Sequence, residues 1–454
     1  MTTPQHPEDR PARADDGQSQ GQGQGQNLTP LTFVATSDLS AITKGRSMPS
    51  ELLEEGDTTG WVPANLGIGA SGHIADQIPF GSTGDLRLRP DPDAAHVITG
   101  VPGRPDTTLV LADIVTTEGQ PWSCCPRTFL RDAVATLESE FGLTVASAFE
   151  HEFMDLDVEG EHHPFSWRNF RAAEPVGSQL VTAMKRSGLE PETWLAEYGE
   201  HQYEVTVRRA DAVRAADRAI LTRDLVRDIF SAAGHRTTFS PVLKPGATGN
   251  GVHVHFGLQD AEGTNVLFDP SRPGRLSELG GRFSAGILRH AGALAAIFAP
   301  LSVSYLRLRP HQWSSAGVFL GLHDREALLR VCPTVEIDGK DPAPQLHLEF
   351  RGGDIGANPW LLLGSLLHAG MEGLRTGADP AELQVGEADR SSAAVTELPR
   401  DLGEALDRLE QDEVVTGWFA PELIATYLRI KRVELAEVSK LSESEQCDWY
   451  VRAY

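Results

Sequence analysis

Five stretches of this chain alternate apolar residues with carboxylate, imidazole or guanidinium side chains at a spacing of two. A β-strand turns successive side chains to opposite faces. In V-A-S-A-F-E-H-E-F-M-D-L-D, residues 145–157, Glu150 and Glu152 therefore share one face while Phe149, His151 and Phe153 share the other. Two carboxylates side by side repel, and shielding from water raises the cost. Such a face is either solvated or holds a cation. The second stretch, E-Y-G-E-H-Q-Y-E followed by V-T-V, puts Gln202, Glu204 and Thr206 on one face with Glu197 in the turn before them. The third, G-N-G-V-H-V-H, sets His253 and His255 opposite Val252, Val254 and Phe256, behind a turn at Gly249 and Gly251 that permits close backbone approach. The fourth, S-Y-L-R-L-R, reads as a strand with Arg307 and Arg309 together. The fifth, Q-L-H-L-E-F-R, sets His347, Glu349 and Arg351 opposite Leu346, Leu348 and Phe350.

Taken singly, each stretch also reads as a solvated edge strand, a satisfied histidine pair or a surface ion pair. Taken together they do not, because all five apolar faces are committed to packing. The pattern predicts a curved sheet whose concave face gathers Glu150, Glu152, Glu197, Glu204, His253 and Glu349, with Arg307 and Arg351 nearby. Hard oxygen ligands with one imidazole suit Mg2+ or Mn2+. Several such ions beside arginines fit phosphoryl chemistry, where metals bridge nucleotide oxygens and guanidinium groups neutralise developing charge.

The 454 residues carry 40 Lys+Arg against 64 Asp+Glu, a formal net charge of -24, which argues against nucleic acid or an acidic membrane surface as the partner. No apolar run approaches the roughly 18 residues of a membrane helix, and the polar start has no signal-peptide core. Four scattered cysteines make neither a disulfide framework nor a Cys-rich zinc pattern, so a reducing cytoplasm is expected. Residues 1–28, with their Gly-Gln alternation, read as a disordered tail. Residues 29–120 read as a small strand-rich domain. It has strands at Leu31–Val34, at Asp85–Arg89 up to a proline stop, and at Thr108–Asp113, with a basic Lys44-Gly-Arg46 turn and a glycine-rich irregular stretch at 65–84. Residues 121–454 read as one large α+β domain, opening with a helix from Pro126 to Phe141 that Gly142 stops, and carrying a long helix over 210–233.

The ordered motifs resemble the glutamine synthetase family, including its γ-glutamyl-amine ligases, from about residue 30 onward. Glu150-His-Glu152 is similar to the family's first metal motif, Glu197 and Glu204 to its second, and Gly249–His255 to its G-x-G-x-H-x-H signature. Ser304-Tyr-Leu-Arg307 resembles the arginine segment that meets the substrate carboxylate. Arg325 and Arg330 resemble the N-R-x…R segment, and Glu349-Phe-Arg351 with Asp354 and Asn358-Pro359 resembles E-x-R…D…N-P. The Lys44–Pro49 stretch is similar to a small-domain R-G-K-x-x-P turn. The resemblance implies an N-terminal β-grasp domain, a catalytic domain with a curved antiparallel sheet, and a homo-oligomer of hexameric rings, a dodecamer, with sites shared between neighbours. It implies an ATP-dependent ligase that activates the γ-carboxylate of glutamate as an acyl phosphate, which an amine then displaces. Glu150, Glu152, Glu197, Glu204, His253 and Glu349 would hold the metals. Gly249, Gly251, Arg307 and Arg351 would bind substrate, and His255, Arg325 and Arg330 would bind ATP. Arg307, Arg325, Arg351 and the residue at position 313 would serve the chemistry.

The departures bear on the amine. Ammonia-using relatives carry a glutamate six residues after the arginine of the S-Y-x-R segment; that position here is Trp313. The small-domain turn that supplies an ammonium-binding aspartate is matched by G-I-G-A-S-G, residues 67–72, which has none. Gly199-Glu-His201 stands in place of G-P-G, Gly257 in place of the serine after H-x-H, and no tyrosine-bearing regulatory loop is evident near Ala378–Ser391. The reading that follows is a ligase for glutamate, or a close analogue, and an amine other than ammonia. The alternatives are an ordinary glutamine synthetase, with Trp313 packing a loop and Asp76 serving ammonium, and a catalytically weak binding or regulatory homologue.

Overall fold

The computed structural model describes residues 28–160, 162–310, 312–315, 317–385 and 396–454. The expected tail lies outside the described residues except for its last position, as does part of the Ala378–Ser391 stretch.

The chain begins with β1 (Leu31–Ser37) and reverses through a tight turn in which Asp38 Oδ1 accepts hydrogen bonds from the backbone N–H groups of Ser40 and Ile42. It returns as β2 (Thr43–Pro49), paired antiparallel so that Lys44 faces Thr36 and Arg46 faces Val34. The basic segment expected as a turn is therefore an edge strand; the turn is Asp38–Ala41. A three-residue β3 (Thr59–Trp61), β4 (Leu86–Ile98) and β5 (Thr107–Thr116) complete a five-stranded sheet ordered β2-β1-β5-β4-β3. The strand expected to stop at Pro90 runs on to Ile98. Pro90 still pairs with Ala112; a register shift between Pro90 and Ala95 then takes Pro92 out of the ladder, and pairing with β5 resumes at Ala95.

Helix α1 (Pro126–Phe141) has Pro126 in its first turn, and Gly142 ends it at φ 65, a left-handed cap that glycine adopts freely. The large sheet follows: β6 (Thr144–Asp155), β7 (Pro191–Ala196), β8 (Gln202–Val207), the short β9 (Ala210–Asp211) and β10 (Thr237–Thr238), then β11 (Val252–Gln259), β12 (Gly317–Leu322), β13 (Ala327–Val331), β14 (Leu348–Phe350) and β15 (Leu383–Gln384). Its order among the described residues is β15-β12-β13-β14-β11-β6-β8-β7. Pairing is antiparallel from β13 to β7 and parallel where β12 meets β13 and β15. The expected fifth strand shortens to Leu348–Phe350, with Gln345 in a preceding turn.

The fourth expected strand is not one. Ser304–Arg307 forms a single helical turn, and Arg309 is exposed while Arg307 is buried. Six residues of alternating sequence cannot distinguish a strand from a turn of helix by period alone, and here Ser304 Oγ accepts the Leu301 N–H at 3.2 Å, starting the turn.

One face of the sheet is apolar. After α1 the helices run α2 (Trp167–Ala172), α3 (Val176–Arg186), α4 (Ala212–Ala232), α5 (Glu278–Phe298), α6 (the Ser304–Arg307 turn) and α7 (Pro359–Arg375). Phe149, Phe153, Val254, Phe256, Leu348 and Phe350 are almost wholly buried under long helices that include α4, α5 and α7. His151 sits on this face too, and burial pushes its imidazole down to about 3, so it packs as a neutral ring.

The small domain is joined to the large one through a charge. Arg127, in the first turn of α1, donates to Asp217 of α4 at 2.7 and 3.1 Å, to Asp113 of β5 at 3.0 Å and to Asp91 of β4 at 2.8 Å. Trp360 Nε1 donates to Asp217 as well, at 2.8 Å. Arg131 also donates to Asp91 and lies 3.5 Å from Asp113, but Arg127 is the cation that reaches Asp217, and removing it leaves that buried carboxylate uncompensated. Arg127→Met should therefore lower unfolding free energy by about 3–5 kcal/mol, the usual cost of breaking a buried pair, read as a fall in the midpoint of denaturant unfolding.

Candidate active site

The register of the large sheet sets the chemistry in rows. Glu152 on β6 lies opposite Glu204 on β8, Glu150 lies opposite His253 on β11, and Glu349 on β14 lies between His255 and Arg330. His253 Nδ1 is 3.2 Å from Glu150 Oε2 and 3.7 Å from Glu349 Oε1, and its Nε2 is 3.9 Å from Glu152 Oε1. Glu150, His253 and Glu349 thus present three ligand atoms within 4.8 Å of one another.

The turn before β11 needs its glycines. A Cβ at Gly251 would fall 2.7 Å from His253 Nε2, and one at Gly249 would fall 2.6 Å from Arg307 Cγ and from Pro241 O. Instead the Gly251 N–H donates to Glu152 Oε2 at 2.7 Å, while Gln202 Nε2 bonds Gly249 O at 2.8 Å and Asn250 Oδ1 at 2.9 Å. Arg307 is packed behind this turn. Its Nη2 donates to the carbonyls of Gly352 and Gly353 at 2.8 Å, and its buried Nε has no hydrogen-bond partner among the described residues.

The charges are balanced unevenly. Burial alone would push the Glu349 carboxyl up, but Arg351, His253 and His255 outweigh it and hold it at about 2. Arg330 donates to Glu349 Oε2 at 2.7 Å and Arg351 donates to Oε1. Glu150 is likewise held low against its burial by His255 and His253. Across the sheet, burial and then the charges of Glu150, Glu152 and Glu197 drive Glu204 up to about 9, and burial followed by Glu152 raises Glu197. Without a cation, burial and the neighbouring carboxylates favour the protonated form of Glu204. Oxygen-rich donors with one imidazole and a standing excess of negative charge fit divalent cations of the Mg2+ or Mn2+ kind.

Two chambers open on these rows. One of about 560 Å³ is lined by Glu150, Glu152, Glu197, Glu204, His253 and Glu349, by Gly249, by Arg325, Arg330 and Arg351, and by Phe165, Tyr198 and Trp313. The other, of about 640 Å³, is lined by Ala148, Glu190, Arg208, Arg209, Asn265 and His347 among others. Glu150 and His255 border both. The structure therefore brings together every candidate residue except Gly251 and Arg307, which lie one layer behind. Arg351 also ties down two loops: Nε donates to Arg325 O at 2.8 Å and Nη2 to Trp313 O at 3.2 Å. Trp313 has φ 53 and is 71% exposed at the chamber mouth. Asp76 is elsewhere in this chain, paired with Arg429. His347, which the fifth stretch sets on the face of Glu349, lies beside His255, whereas Phe165 and Tyr198 at the mouth and Cys332 carry no chemical spacing that marks them in the sequence.

Residues 123–450 match the model of the glutamine synthetase catalytic domain, and residues 22–122 match that of the glutamine synthetase N-terminal domain. This chain belongs to the glutamine synthetase family. Within that family it is 32% identical over 377 residues to gamma-glutamylpolyamine synthetase GlnA3 of Streptomyces coelicolor, spanning 79% of each chain. It is 28% identical over 445 residues to a glutamate–isopropylamine ligase of a Pseudomonas species, spanning 92% of this chain and 93% of that one. A crystal structure described as a novel glutamine synthase homologue superposes with a TM-score of 0.87 at 42% identity, covering 94% of this chain and 99% of the other.

The protonated Glu204 makes cation binding pH-dependent. With its carboxyl at about 9, Glu204 holds a proton at pH 7 that a divalent cation must expel. Affinity for Mg2+ should therefore rise as pH is raised toward 9. Calorimetry of Mg2+ binding at pH 7, in two buffers of different ionisation enthalpy, should report proton release of about one per chain, and Glu204→Gln should abolish that release.

Proposed function

We propose that this chain is an ATP-dependent ligase that joins the γ-carboxylate of glutamate, or a close analogue, to an amine larger than ammonia. The observation that carries the amine is the chamber mouth. Where an ammonium pocket needs negative charge to replace the hydration of a small cation, this chain places Trp313, Phe165 and Tyr198, all largely exposed. Aromatic faces suit alkyl or aryl substituents and hold a cationic amine over their π systems. Relatives named for polyamine and isopropylamine substrates support the same reading.

Enzymes of this family use ATP, and here the chamber bordered by His255 is the candidate nucleotide side. Glu150, His253 and Glu349 on one side, and Glu152, Glu197 and Glu204 on the other, would hold the metals, which neutralise phosphate charge when bound. Arg325, Arg330 and Arg351 converge from the substrate side, where they would bind the transferring phosphoryl group and the glutamate carboxylates in a fixed array. Gly249 and Gly251 let the turn approach the substrate closely, and Arg307 supports that turn from behind. No helix among the described residues is long and apolar enough to cross a membrane. A cytoplasmic dodecamer of two hexameric rings belongs to this proposal, and light scattering of the purified chain tests the assembly.

Two experiments test the chemistry. Glu349→Ala should abolish ATP-dependent turnover while circular dichroism stays native; retained activity refutes the metal assignment. For specificity, kcat/KM should be compared for ammonia, alkylamines and polyamines. The parent should favour a substituted amine over ammonia by at least about tenfold, the discrimination a few apolar contacts supply, and Trp313→Glu should shift the ratio toward ammonia. Efficient glutamine formation by the parent would return the chain to the ordinary synthetases.

A further inference from the structure

A second group of metal-ligand atoms lies in the wall between the two chambers, and its chemistry differs from that of the carboxylate rows. His255, Cys332 and His347 offer two imidazole nitrogens and a thiol within 4.8 Å of one another. His255 Nδ1 is 3.0 Å from His347 Nε2 and 4.0 Å from Cys332 Sγ. Tetrahedral zinc, with Zn–N near 2.0 Å and Zn–S near 2.3 Å, spaces such atoms roughly 3.3 to 3.6 Å apart. The His255–His347 pair is thus slightly closer than that spacing and the His255–Cys332 pair slightly wider.

The outer contacts turn one nitrogen of each ring toward the other. His347 Nδ1 lies 2.7 Å from Gln345 O, so this nitrogen carries the proton and Nε2 is left as a donor of electrons toward His255. His255 Nε2 lies 3.0 Å from Glu150 Oε1, a charge contact on the far side of the ring that leaves Nδ1 facing His347 and Cys332. His255 Nδ1 and His347 Nε2 thus face each other at 3.0 Å beside a sulfur atom, three donor atoms gathered within reach of one ion. A backbone carbonyl or carboxylate on the far nitrogen is also the usual support of a metal-binding histidine. Three protein ligands leave a fourth position open, as in exchangeable sites rather than closed structural ones. His255 and His347 line the 640 Å³ chamber, which gives an ion a path in, while Cys332 is 3% exposed.

We propose that His255, Cys332 and His347 bind a thiophilic cation of the Zn2+ type and that its occupancy inhibits the ligase by withdrawing His255 from the nucleotide side. The inhibition rests on the function proposed above; the binding does not. A sulfur ligand separates this site from the oxygen-rich rows, which favour Mg2+ or Mn2+.

Cobalt(II) is the probe, because a Co2+–thiolate bond gives a near-ultraviolet charge-transfer band that carboxylate sites cannot. Titrating the full chain with Co2+ under excess Mg2+ should develop that band to one equivalent per chain. Cys332→Ser should lose the band, and His347→Gln should weaken Co2+ binding at least about tenfold, each with native circular dichroism. Zn2+ should compete the band away and inhibit turnover of the parent at concentrations that leave Cys332→Ser active. Absence of the band in the folded parent, or its persistence in Cys332→Ser, overturns the site. Equal Zn2+ inhibition of parent and Cys332→Ser overturns the regulatory role and places the inhibitory ion on the carboxylates. An enzyme inactive with every amine, yet showing the band, would defeat the proposed function and leave the binding site standing.

Discussion

The structure depends on like charge held at short range. Glu150 and Glu152 occupy one face of one strand, with Glu204 opposite the second and Glu349 one strand beyond His253. Repulsion in such a set must be met locally, since the sheet beneath is packed with phenylalanine and cannot admit water. The protein meets it on one side only. Arg330, Arg351 and two histidines press the Glu349 side into its ionised form, whereas nothing comparable lowers Glu204 or Glu197. On the proposed function that asymmetry would divide the labour: fixed guanidinium groups to orient a substrate's anionic oxygens, and unsatisfied oxygens for ions from solution.

Much of this was legible because a strand's period is rigid. Once Glu150 and Glu152 share a face, the partner strands must align their own chemistry with it, so Glu204, His253 and Glu349 fall into place from sequence spacing alone. The method failed where the period was too short to be decisive. S-Y-L-R-L-R alternates like a strand but closes as a helical turn on the Ser304 hydroxyl. In the small domain, a proline was read as a terminator, whereas a register shift carries β4 past it. The basic segment at Lys44 pairs as an edge strand because Asp38, not Gly45, makes the turn.

Residues brought in by loops were illegible for a different reason. Phe165, Tyr198 and Cys332 sit beside the site through tertiary geometry, with no repeat in the chain to announce them, whereas His347 falls on the alternating face of Glu349. Trp313 was visible only as a departure at a position set by its distance from Arg307; its exposure and left-handed backbone were not. The Arg127 hub was equally hidden. Its three aspartates come from β4, β5 and α4, and only the docking of the small domain on α4 makes one cation their common partner.

The loop bearing Trp313 is held through its backbone. Arg351 bonds the carbonyl of Trp313 with one arm while gripping Glu349 with another. The loop's position is thus tied to the ion-binding rows, but the identity of the side chain at 313 is not, because the indole itself extends into the open mouth. On the proposed function, substitution there would change what the mouth accepts without disturbing the groups that activate the carboxylate, and substitution at 351 would change both. The consequence would be a separation of evolvable from fixed parts within one site, with one nucleophile exchanged for another by single steps at position 313 while the phosphoryl-transfer groups stay in place.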